Sequence, residues 1–189
     1  MHMINNKFLK GFTLIELIMV MAIIGILAGA GAWMMAYTVK NSVFIPNQLN
    51  MDKLATDALN IMIDGDSQAK GLRFSRVITA ITANRVDFVN QDVQTIYYRL
   101  DTGTNKLYRS INAAGETAIP YYSSVTGISL SGKSGTLFTY YDSADAVTAT
   151  AANVRRIQMI LVAKIGTGLY NDWQGSSEQA TSIAVDRLQ

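Results

Sequence analysis

The sequence predicts an α+β protein in which a long N-terminal helix packs on an antiparallel β-sheet head. Three observations carry that prediction. The first is an apolar run from Phe12 to Tyr37 that holds a single charged residue, Glu16. The second is a stripe of Met51, Leu54, Ala55, Ala58 and Met62 at helical spacing, ending near Gly65. The third is a change from Arg73 onward to short alternating segments separated by turn residues. These divide the chain into a short stretch before Phe12 (1–11), a helix (12–65) and a β-rich head (66–189). Within the helix, 12–39 reads as an apolar, membrane-type part and 46–65 as an amphipathic half.

As a helix, the 26 residues from Phe12 to Tyr37 would reach roughly 39 Å, against about 30 Å of bilayer hydrocarbon. A carboxylate near the start of such a helix is costly unless a partner offsets it. By physics alone the run reads as a signal anchor, with Lys7 and Lys10 on the cytoplasmic side. Equally, Glu16 reads as an interfacial residue that snorkels. A cleaved secretory signal fits poorly, because its apolar region is about 7–15 residues. Gly25 and Gly29 form a Gly-x-x-x-Gly pair beside Ala22, Ala28 and Ala32. Small residues let helices approach closely, and glycine is also simply frequent in membrane helices. Trp33 and Tyr37 suit an outer interfacial belt.

Beyond the anchor, Pro46 predicts a kink or short break around Asn41–Pro46. Periodicity then resumes, with Asn50, Lys53, Asp57, Asn60 and Asp64 opposite the Met/Leu/Ala stripe, and Gly65 as the stop. Strands are expected at 85–89, 94–100, 106–111, 136–142, 154–165 and 182–188, with a hairpin turn over Asp101–Asn105. In the fifth of these, Ile157, Met159, Leu161, Ala163 and Ile165 share one face, and Ile160 and Val162 on the other suggest a central strand. Gly/Ser/Thr/Ala-rich segments at 112–118, 123–135, 143–153 and 166–181 read as long loops.

Lys10-Gly11-Phe12-Thr13-Leu14-Ile15-Glu16-Leu17 resembles the processing site of type IV pilins and type II secretion pseudopilins. That resemblance implies cleavage by a prepilin peptidase between Gly11 and Phe12 and N-methylation of Phe12. It makes Glu16 the assembly glutamate that meets the N-terminal ammonium of a neighbouring subunit. It further implies other pilin or pseudopilin subunits and an inner-membrane assembly platform as partners. The subunit would sit in the bacterial inner membrane as a single pass with its N-terminus cytoplasmic, then move to a periplasmic or surface filament. Tyr98-Arg99-Leu100 followed by Leu107-Tyr108-Arg109 is similar to a hairpin of PilW-like minor pilins and of the J-type minor pseudopilin, which favours a minor subunit. An alternative within the same family is a tip-located module that binds a surface, DNA or a secreted protein, supported by the long polar loops. Trp33 stands where many major pilins carry a proline, and the chain has no cysteine for the disulfide that many of them have.

Removing the 11-residue leader from 189 leaves 178 residues, without histidine or cysteine, because His2 lies in the leader. Losing Lys7 and Lys10 takes Lys+Arg from 16 to 14, equal to the 14 Asp+Glu. A neutral balance gives no argument for nucleic-acid binding. Ser-His-Asp and Cys-His devices and the usual zinc, copper or iron sites cannot be built from such a chain. No catalytic residue, cofactor or metal is expected. The acidic groups Asp64/Asp66, Asp142/Asp145 and Asp172/Glu178 invite a calcium reading but lack the ligand spacing of an EF-hand loop. The pairs Tyr97-Tyr98, Tyr121-Tyr122 and Tyr140-Tyr141 read as one core and one surface residue each, since neighbours on a strand face opposite ways.

Overall fold

The apolar run and the amphipathic stripe fold as one helix, α1 (Leu14–Ile63), in a computed structural model that describes residues 12–120, 128–165 and 175–185. The chain divides into two units, one reaching Ser42 and the other starting at Val43. In the first, every described side chain from Phe12 to Val39 is exposed. In the second, Met51, Leu54, Ala55, Ala58, Leu59 and Met62 are buried while Asn50, Lys53, Asn60 and Asp64 face solvent. The expected stripe is therefore the one the fold uses. Gly65, at φ +87°, follows the last turn, and a Cβ there would collide with the Ala69 carbonyl, so glycine is required.

A 3-10 turn (Leu72–Phe74) leads into a five-stranded antiparallel meander of β1 (Ser75–Thr82), β2 (Arg85–Asn90), β3 (Thr95–Asp101), β4 (Lys106–Ile111) and β5 (Thr117–Ile119). A second antiparallel sheet holds β6 (Ile128–Gly132), β7 (Phe138–Tyr141), β8 (Arg156–Ile165) and β9 (Ser176–Ala184). In it β6 and β7 pair with one side of β8, and β9 with the other. β8 is central, as expected, and buries Ile157, Met159, Leu161 and Ala163 on one face. These join the stripe of α1, Phe88 and Tyr98 in one hydrophobic cluster. The architecture is α+β and pilin-like: a long apolar N-terminal helix followed by antiparallel sheets.

The head has two sheets where one was expected, and the β1–β2 turn ties them together. The Ala83 carbonyl accepts from the N–H groups of Leu137 and Phe138. The Tyr140 hydroxyl donates to the carbonyls of Thr82 and Arg85. Three loop readings are corrected. β5 lies partly in 112–118, β6 lies in 123–135, and β9 begins six residues before the expected 182. Leu188, the expected end of that strand, lies outside the described residues. β1 was not anticipated as a strand. Nor does α1 break near Pro46, because it continues through that residue. A proline removes only its own donor and costs about 3 kcal/mol in a helix interior. Packing of the turns that follow, beginning at the fully buried Met51, offsets that cost.

Candidate functional site

The N-terminal candidate is built at the first turn of α1. Thr13 is the residue before the helix and Glu16 the third residue in it. The Thr13 N–H and hydroxyl both donate to Oε2 of Glu16 at 2.8 Å, and the Glu16 N–H reaches back to Thr13 Oγ1 at 3.4 Å. This is a capping box, which satisfies two otherwise orphaned amides at the helix start. Oε1 of Glu16 takes no partner among the described residues. The carboxylate is thus held in place on one oxygen while the other remains available. Thr13 was missed as a site residue, although the Thr-x-x-Glu spacing is itself the signal.

Phe12 is 85% exposed beside this turn, and Gly11 lies outside the described residues. A Cβ placed on Gly25 or Gly29 would meet nothing within 4 Å. Nothing in the chain's own packing therefore requires glycine at either position. Trp33 and Tyr37, one helical turn apart, stack with centroids 6.0 Å apart and planes at 16°. By length and composition α1 can cross a membrane.

In the head, the hairpin of Tyr98-Arg99-Leu100 and Leu107-Tyr108-Arg109 grips the end of α1. Tyr98 is fully buried and donates its hydroxyl to the Ile61 carbonyl at 3.0 Å. Burial pushes that phenol's pKa well up, so it stays a donor. Arg109, only 1% exposed, donates to Asp66 Oδ1 and Gln68 Oε1, each at 2.9 Å. Partial burial opposes ionisation of Asp66, but the Gln68 N–H and the Arg109 guanidinium outweigh it and hold the carboxyl below its ordinary range. On the other face Arg85 lies 4.0 Å over the Tyr97 ring and Arg99 is 5.5 Å from that of Tyr108.

The remaining acidic candidates are engaged within the chain. Asp64 pairs with Arg73, Asp145 with Arg156 and Glu178 with Lys133, while Asp142 accepts from the N–H groups of Ala144 and Ala146. Asp172 lies outside the described residues. Among the described residues no three metal-ligating side chains gather. Tyr98 and Tyr140 are buried while Tyr97 and Tyr141 are half-buried, in keeping with their alternation; Tyr121 and Tyr122 lie outside the described residues.

The first-turn geometry lies within a stretch of known type, since a family model described as the prokaryotic N-terminal methylation motif matches residues 9–32. The chain carries the class III signal of type IV pilins and pseudopilins. No curated protein and no solved structure matches it. The signal and the long apolar helix support a processed, membrane-anchored, pilin-like subunit. They imply a structural role, assembly with other pilin subunits and processing by prepilin peptidase.

Proposed function

We propose that this chain is a minor subunit of a type IV pilus or type II secretion filament. Prepilin peptidase cuts between Gly11 and Phe12 and Phe12 is N-methylated. The subunit waits in the inner membrane as a single pass, its N-terminus cytoplasmic and its head outside, until the assembly platform draws it into the fibre. The observation that carries this reading is the capped Glu16 at the head of an exposed apolar helix. A carboxylate there becomes tolerable, and useful, when its free oxygen meets the ammonium of a neighbouring subunit. That contact sets axial register, and Gly25 and Gly29 give the next helix room to approach. The alternative of a tip-located binding module rested on long polar loops, and β5, β6 and β9 now occupy part of them.

Mass spectrometry of the N-terminus, on sheared filaments and on the membrane fraction separately, tests the processing. The expected species begins at methylated Phe12 in the filaments; an intact Met1 start in both fractions overturns the reading. Glu16→Ala is expected to leave membrane insertion intact and to lower filament incorporation by about tenfold, the effect of losing one charged contact. Normal incorporation of that variant removes the register role.

A further inference from the structure

The edge of a sheet presents unpaired N–H and C=O groups, and most edges in this head are closed by the chain itself. β1 has register irregularities between Ser75 and Val77 and between Ile78 and Ala80, which bend an edge away from further pairing. β5 is three residues long. On the outer side of β7 the Phe138 N–H is taken by the Ala83 carbonyl, and the Tyr140 carbonyl by the Thr148 N–H. β6 gives its Leu130 N–H to the Asn105 carbonyl.

β9 differs. It pairs with β8 without irregularity from Ser176↔Lys164 to Ala184↔Arg156. The bonds Ile165 N–H to Gly175 carbonyl and Val185 N–H to Arg155 carbonyl fix the alternation. Odd-numbered residues of β9 exchange bonds with β8, so even-numbered ones turn their backbone groups to the outer edge. Ser176 confirms the direction. Its N–H donates to Gln48 Oε1 at 3.2 Å and its carbonyl accepts from Gln48 Nε2 at 2.7 Å, so one side-chain amide stands in for a strand. Gly175 permits this approach, since a Cβ there would lie 3.0 Å from the Asn47 carbonyl carbon.

Past Ser176 no described residue covers the edge in this way. The outward groups of Glu178, Ala180, Ser182 and Ala184 make no hydrogen bond to another described residue, and all four residues are exposed. Proline is absent from β9, and its one charge, Glu178, is paired with Lys133 at 2.8 Å. The devices that protect the other edges are missing from this one.

We propose that the outer edge of β9, from Glu178 to Ala184, docks an extended segment of a co-assembling filament subunit, which adds to the four-stranded sheet as a fifth strand. The occupant's chemistry follows from the edge: alternating N–H and C=O groups are matched by another extended backbone. Ala180, Ser182 and Ala184 carry small side chains, which leave that approach clear over most of the edge. Neighbours in a filament meet head-to-tail, so a β9–β9 pair, which closes on a two-fold axis, does not repeat along a fibre. The proposal rests on the filament reading above.

The test compares amide hydrogen exchange in the full chain, in detergent and in sheared filaments. The Ala180, Ser182 and Ala184 amides are expected to exchange fast in detergent and about a hundredfold more slowly in filaments, as for amides newly bonded on assembly. Ser182→Pro deletes an outward N–H and spares the bonds to β8, as proline does on edge strands. It is expected to keep the head's melting temperature and to lower incorporation by about tenfold; Ala180→Pro serves if the first variant fails to fold. Fast exchange at these amides in filaments, or normal incorporation of the proline variants, overturns the proposal. Protection that rises with concentration in the purified chain alone assigns the edge to a second copy and overturns it too. Absence of the wild-type chain from filaments defeats the filament reading itself, whereas its presence with an unprotected edge defeats this proposal alone.

Discussion

The two halves of α1 are equally helical and differ in where their apolar side chains find partners. Before Ser42, leucines, isoleucines and methionines are exposed all round the helix, and its glycines face open space. From Met51 on the large apolar residues sit on one face and pack into a core shared with β2, β3 and β8. A helix that is apolar all round has its partner outside its own chain, in lipid or in another subunit. One that is apolar on a single face is stabilised by its own domain. The first half therefore looks outward for its partners, and the second serves folding.

Truncation separates the halves most sharply. Leu54→Ala is expected to destabilise the head by about 2–5 kcal/mol, the range for emptying a well-packed core site. Leu27→Ala, which removes a side chain that is 65% exposed, is expected to change head stability by less than about 0.5 kcal/mol. Thermal unfolding of the full chain in detergent measures both. Equal effects would erase the distinction between the halves.

The clamp on the end of α1 comes next. Arg109→Met leaves Asp66 with only its backbone donors and is expected to cost about 2 kcal/mol. The same pair predicts an acid dependence. Asp66 is held below its ordinary pKa in the folded chain, so it contributes stability that is present above about pH 4 and lost as pH falls through the lowered folded value. Stability measured against pH should flatten over that acid range in Asp66→Asn. An unchanged slope would assign the acid sensitivity to other carboxylates. The smallest effect belongs to the capping box. Thr13→Ala is expected to cost about 1 kcal/mol of helix-start stability, seen as faster exchange of the Ile15, Glu16 and Leu17 amides, with no change in head melting.

Legibility in the sequence followed locality. β2, β3 and β8 place an apolar residue at every second position of their core face, and burial follows that alternation along β2, β3 and most of β8. β1 was hidden because its two irregularities break the period, leaving buried residues three apart at Ser75 and Ile78. β9 has one large apolar residue, Ile183, and becomes a strand because the backbone of β8 is there to pair with it. Arg109 lies on the same face as Leu107, which alternation shows, yet its acceptor Asp66 is 43 positions away, and no local pattern reports that. At the N-terminus the contact is local: Thr13 and Glu16 are three residues apart, so the spacing carried it even though Thr13 was missed.

Readable from the residues alone are the long helix, the change in its character after the anchor, the methylation motif and the strands with an apolar residue at every second position. Those features depend on residue spacing within a few turns or a single strand. Visible only in the fold are the split into two sheets, the passage of α1 through Pro46, the burial of Arg109 on Asp66 and the edge of β9 that no described residue covers. Each depends on groups far apart in the chain, whose meeting is set by packing and by backbone hydrogen bonds that every residue type makes alike.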